Sequence, residues 1–131
     1  MVNLLLRVGF DPDLFFEGNK TYLSTASSGS AFVEDPGYFA ILKTEIDIST
    51  GDSLIDTELF HVSTLPLDAP RLAEGSHLYK KDDWWYLMTA EGGTDAKSHR
   101  VMIKRSKDGV NGIWEENPNN PILWNGKNLF I

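Results

Sequence analysis

The sequence predicts an all-β chain made of about two four-stranded antiparallel modules. Three observations carry that reading. Apolar and polar residues alternate with period two in short runs, and Gly, Pro, Asn and Asp punctuate the gaps between the runs. No window of helical length keeps an apolar stripe every three or four residues without a glycine or proline intruding. Finally, one pattern of residues occurs twice. The 131 residues are enough for one modest domain, and 41% hydrophobic with 24% charged residues is the composition of a folded chain.

The elements follow in order. Phe15-Phe16 and Tyr22 to Thr25 read as two strands around the tight turn Glu17-Gly18-Asn19-Lys20. Tyr38 to Ile48 is a strand-like run, ended by the turn-forming residues STGDS. Leu78-Tyr79 and Trp84 to Thr89 make a second hairpin around Lys80-Lys81-Asp82-Asp83, and Arg100 to Arg105 is a further alternating strand. Gly109 to Asn120 connects to Pro121-Ile122-Leu123-Trp124. Alternation places Trp84 and Tyr86 on the opposite sheet face from Trp85.

The repeat appears when Asp11–Ala26 is laid over Glu74–Thr89 at an offset of 63, so that Asp11 falls on Glu74, Phe15 on Leu78 and Tyr22 on Trp85. Ala40–Lys43 falls on Val101–Lys104 at an offset of 61. A fourth strand then precedes each acidic residue or lies in the EIDIST and NPIL segments. Four-stranded modules repeated radially are propeller blades. A two-layer sandwich accounts for the same strand count, and it predicts that Asp11 and Glu74 lie far apart.

The formal charge of −7 argues against a nucleic-acid backbone or an anionic membrane as partner, and suits a neutral polar ligand such as a carbohydrate. With no cysteine, disulfides and thiolate chemistry are excluded. The opening MVNLLLRVGF is too short for a signal-peptide core, and no stretch could span a bilayer as a helix; extracellular and cytoplasmic locations both fit. His77 and His99 have no metal-motif spacing, and the glycines form no phosphate loop, so neither a metal nor another cofactor is expected.

Asp11 and Glu74 are the residues to weigh for chemistry. In a propeller, equivalent blade positions face one channel, and two converging carboxylates are what glycoside hydrolysis requires: one protonated, the others ionised. As plain turn formers, both residues would equally suit a strand entry. Asp47 reads as a turn residue, and Lys80, Lys81 and Lys97 as solvated side chains.

The runs DPDLFF-EGNKTYLS, EIDISTGDSL, AEGSHLYKKDDWWYLMTAEGGT, SHRVMIKRSKDG and WEENPNNPIL, in that order, resemble blades two and three of glycoside hydrolase family 43, the β-xylosidase and α-L-arabinofuranosidase type enzymes with a five-bladed β-propeller. The resemblance runs from Phe10 to Leu123, with residues 1–9 a non-matching start, 10–70 one blade region and 71–124 the next. It implies hydrolysis of O-glycosyl bonds in xylose- or arabinose-containing saccharides, or plant cell-wall fragments, by an inverting mechanism. Glu74 matches the general acid. Asp11 matches the aspartate that raises the acid's pKa and orients it. Phe10, Glu91, Thr94 and His99 are the substrate-binding candidates, in segments that line or support the active-site end. Ser76 stands where the family's run usually has proline, and Asp13 inherits no catalytic role. The general-base aspartate of the first blade has no match, so the chain is expected to be a fragment, weak or inactive alone. The alternative is a non-catalytic carbohydrate-binding or interaction module on the same fold. Two stacked blades would also leave open faces for a partner chain to cover.

Overall fold

The computed structural model describes residues 9–28, 38–95, 97–124 and 126; the opening MVNLLLRV and most of the closing WNGKNLFI lie outside them. The described residues form nine strands and no helix. Strands β1 (Phe10–Glu17), β2 (Lys20–Ser28), β3 (Phe39–Ile46) and β4 (Glu58–Val62) pair in sequence order into one antiparallel sheet. Strands β5 (Ala73–Lys81), β6 (Trp84–Glu91), β7 (Arg100–Ser106) and β8 (Trp114–Glu116) form the second, and β9 (Leu123–Trp124) pairs with the start of β7. The fourth place of this sheet is thus shared between β8 and β9.

Both hairpins close where turn chemistry demands. Gly18 (φ 61°) and Asp82 (φ 54°) occupy the same left-handed position of two-residue turns, one by freedom from a Cβ and one by the tolerance of aspartate for that region. Lys80 and Lys81, read from sequence as part of the turn, still pair with Trp85 and Trp84. The fourth strand of the first sheet is a correction. EIDIST does not continue as a strand because the Asp47 carboxylate accepts from the Ser49 amide at 2.8 Å and its hydroxyl at 2.6 Å, bending the chain. The strand is instead Glu58–Val62, whose short ELFHV alternation was passed over.

The register also corrects the repeat. Phe10, opposite Ala26, matches Glu74, opposite Ala90; Phe15 with Tyr22 matches Tyr79 with Tyr86; Glu17 with Lys20 matches Lys81 with Trp84. The true equivalence lies one residue beyond the sequence alignment, so Asp11 matches Gly75 rather than Glu74. The two share a left-handed backbone, φ 50° and φ 55°. The slip has a physical cause. Sequence similarity followed burial, and the two sheets bury opposite faces. Phe15 and Tyr22 are buried against the second sheet, yet their register counterpart Tyr79 is 42% exposed; the second sheet turns Leu78, Trp85 and Leu87 toward the first. The second sheet therefore packs its back on the front of the first. A sandwich related by a two-fold axis buries matching faces, whereas a radial stack buries opposite ones. Trp85 lies on the far side from Trp84 and Tyr86, as alternation predicts.

The shared core is aromatic. Phe15 and Tyr22 stack at 5.1 Å and 11°, Trp85 meets Phe15 edge-on at 6.3 Å, and Val110 from the β7–β8 loop seals the cluster. Each such side chain, fully buried, contributes about 1.5–3 kcal/mol of transfer free energy. Lys43 is buried beside this core, its ammonium 3.1 Å from Glu58 and above the rings of Tyr22 and Phe60.

The stacking sense makes a direct prediction from two tyrosines in the same register position. Tyr22→Ala should cost about 3–5 kcal/mol in urea unfolding, because its ring is enclosed. Tyr86→Ala, on the free face, should cost well under half as much. Equal losses would contradict the assigned faces.

Candidate functional site

The beginnings of β1, β3, β5 and β7 and the end of β6 meet at one end of the two sheets. Of the sequence-predicted residues, Phe10, Asp11, Glu74 and Glu91 lie in these strands, and Thr94 and His99 lie in the β6–β7 loop. Two β-bulges shape this end, one between Phe10 and Asp13 and one between Glu74 and His77. A bulge breaks the ladder and re-aims the side chains beside it. In β1 it forces Asp11 into a left-handed backbone, a conformation that costs a non-glycine residue about 1 kcal/mol.

The freed backbone of β5 is taken up by β1. The Gly75 amide donates to Asp11 Oδ2 at 3.1 Å, and the Leu78 amide donates to Asp13 Oδ2 at 3.0 Å. His77 Nδ1 lies 3.3 Å from Asp13 Oδ1. The two carboxylates of Asp11-Pro12-Asp13 thus clamp β5 on both sides of its bulge, and Asp11 is held at the residue next to half-buried Glu74. This contact rules out the sandwich arrangement with the two acids far apart. Within the β5 bulge, the Ser76 hydroxyl meets that of Ser24 at 2.9 Å in the buried interface.

Glu91 departs from its expected role. It is fully buried, with Oε1 2.7 Å from His61 Nε2 and accepting from Thr89 Oγ1 at 2.9 Å, while Oε2 accepts from Ser63 Oγ at 2.6 Å. It has no face left for a ligand and instead ties β6 to β4 and to the residue just past it. Burial pushes its carboxyl up, but the hydrogen bonds from His61, Ser63 and Thr89 with the charge of His61 outweigh that. Glu91 is held below the ordinary glutamate range. Reading the sequence missed His61 and Ser63; a histidine inside an alternating apolar strand was the available signal.

The β6–β7 loop leaves Thr94 and His99 exposed. Its shape depends on Gly92 at φ +88°, where a Cβ would overlap the Ser98 carbonyl. His99 Nδ1 lies 2.7 Å from the Gly93 carbonyl, which makes Nδ1 the donor. Phe10 is partly exposed and packs edge-on against Phe39 at 5.3 Å. Arg71 closes this side, donating to the Ser63 carbonyl and to the Tyr38 hydroxyl with its guanidinium over the Tyr38 ring.

A family model described as Glycosyl hydrolases family 43 matches residues 2–129. The chain belongs to this family. It is 38% identical over 119 residues to a xylan 1,3-beta-xylosidase of a Vibrio species, covering 88% of this chain and 20% of that protein. To a non-reducing end alpha-L-arabinofuranosidase of Bacteroides ovatus it is 35% identical, covering 88% and 19%. The crystal structure of a GH43_12 protein retrieved from capybara gut metagenome superposes with a TM-score of 0.76 at 30% identity, over 94% of this chain and 23% of that one. The chain spans about a fifth of the length of the curated relatives it matches. Its two antiparallel sheets match part of the family's β-propeller.

Glu91→Gln should lower stability at neutral pH by about 2–4 kcal/mol. The native carboxyl titrates below the unfolded one, so its contribution is complete above the ordinary glutamate value and is lost as pH falls through the native value. Denaturant titrations across acid pH should therefore show the gap between wild type and variant closing as the solution becomes more acidic; a gap constant with pH would remove the ionised tie.

Proposed function

We propose that this chain carries the general-acid side of an inverting glycosidase site for xylose- or arabinose-containing saccharides, as blades two and three of a five-bladed propeller. The blade regions are 10–70 and 71–124. The carrying observation is the hydrogen bond from the Gly75 amide to Asp11, which sets a carboxylate beside Glu74. Glu74 gives its proton to the leaving oxygen. Asp11, anchored by the Gly75 amide, orients that acid, and a second carboxylate beside an acid favours its protonated form. Phe10, Thr94 and His99 line the same end, where an exposed ring face and polar groups suit a sugar. The printed activities of the relatives, xylosidase and arabinofuranosidase, support the substrate class.

Inversion also needs a base on the opposite face of the sugar, about 6.5–9.5 Å from the acid, to activate water. Asp11 and Glu74 fill the other two roles, and none of the 131 residues is assigned to this one. A missing general base costs about 10²–10⁴-fold. The isolated chain should therefore hydrolyse nitrophenyl β-xyloside or α-arabinofuranoside at a residual rate only, and Glu74→Gln should abolish that residue. Saccharide titration followed by NMR should move the amides of Asp11, Gly75 and His99. Turnover near the ordinary enzyme range of about 10 s⁻¹ would refute the two-carboxylate assignment. Binding with wild-type-like residual hydrolysis in Glu74→Gln would favour a non-catalytic carbohydrate module.

A further inference from the structure

The segment Gly75 to Leu78, directly after Glu74, is held from the first sheet at every residue. The Gly75 amide donates to Asp11, and the Ser76 hydroxyl meets that of Ser24. His77 Nδ1 lies 3.3 Å from Asp13 Oδ1, and the Leu78 amide donates to Asp13 Oδ2 at 3.0 Å. Asp13 thus makes two of these four ties and uses a different oxygen for each, which fixes the plane of its carboxylate.

The strand pair cannot hold this segment alone. Gly75 and Ser76 have no partner in the β5–β6 register, and Gly75 takes its left-handed φ of 55° with no Cβ to stiffen it. Asp11 and Pro12 likewise have no partner in the β1–β2 register, but the proline ring locks φ there. A stiff bulge in β1 therefore faces a soft one in β5. The soft bulge also decides where side chains point. Glu74 stands opposite Ala90 and His77 opposite Met88, two places apart on β6, so Glu74 and His77 project from the same face. A grip on His77 is a grip on the face that carries Glu74.

We propose that Asp13 and His77 are positioning residues for Glu74: together they hold the far side of the β5 bulge, so that the Glu74 carboxyl keeps one direction. The inference rests on the reading of Glu74 as the general acid. Neither residue is asked to touch a reacting atom. Misplacing a reacting group by about 1 Å costs as much as about 10²-fold in rate. The Asp13 side chain is 20% exposed and that of His77 62%, and so open a pair adds little to stability. Its loss should therefore show in the geometry and the rate rather than in unfolding.

Variants of the full chain test this through the NMR signals of the Glu74 carboxyl carbon and the Gly75 amide, with urea unfolding alongside. In Asp13→Ala both signals should move, although the Asp13 carboxylate bonds to neither residue. Asp13→Asn, which can still accept from the Leu78 amide, should bring them back toward wild type. His77→Ala removes one open contact and keeps that amide bond, so it remains informative if Asp13→Ala fails to fold. It should move both signals the same way with an unchanged urea midpoint. On nitrophenyl β-xyloside, Asp13→Ala should lower the residual kcat by about 10- to 100-fold at unchanged KM. Signals at their wild-type positions in His77→Ala and in folded Asp13→Ala overturn the proposal, as does a raised KM with kcat intact. Failure of the hydrolytic reading looks different. Glu74→Gln would then hydrolyse as the wild type does, and the NMR signals alone would decide whether Asp13 and His77 set the Glu74 side chain.

Discussion

The stacked rings of Phe15 and Tyr22 take the back of the second sheet against them, and the sense of that contact governs the rest of the structure. Strand side chains alternate between faces, so burying opposite faces of two like sheets requires each module to carry apolar residues on both. β3 shows the consequence: six of its eight positions, read as FAILKTEI, are buried and the other two partly buried, without a clean polar face, and even its lysine and threonine lie inside. Lys43 is tolerated there because two aromatic rings, Glu58 and Asn111 receive it.

Front-to-back stacking also brings like ends of the modules together, and this makes one site out of a repeat. The bulge in β1 and the bulge in β5 occupy the same register position, so they open at the same end. What distinguishes the modules is chemistry at that position. The second has Gly75, which takes the left-handed backbone freely, and its bare amide becomes a donor. The first has Asp11 in the same conformation, whose carboxylate is the acceptor. The strain at Asp11 is thus met by a bond to its own register twin, with Asp13 holding the same strand three residues further on, at Leu78.

Much of this was legible in the sequence because it rests on local rules. The hairpins at Gly18 and Asp82, the faces of Trp84, Trp85 and Tyr86, and the pairing of Asp11 with the Glu74 strand follow from alternation, turn residues and the repeat. The one-residue slip was not legible, since aligning apolar positions assumes that both copies bury the same face. β4 was missed because five residues with a central aromatic and a histidine carry too little periodicity to stand out. Asp13 seemed idle for a related reason: its partner is a backbone amide 65 positions away, and amides leave no mark in a sequence.

Glu91 was misread for a different reason, and the misreading clarifies which glutamate can act as an acid. Ala73 pairs with Glu91 and Glu74 with Ala90, so alternation turns the two glutamates to opposite faces of the same strand pair. A general acid must hold a proton at the moment of reaction and keep an oxygen free to deliver it. Glu91 meets neither demand: hydrogen bonds from His61, Ser63 and Thr89 favour its ionised form and occupy both oxygens in the closed interface. Those same bonds fasten the end of β6, and the Gly92 amide just beyond donates to the Leu72 carbonyl at 3.1 Å, two residues before Glu74. The buried glutamate fixes the strand end from which the half-buried one projects. One is held ionised so that the scaffold holds, which leaves the other as the carboxyl to which we assign the general-acid role.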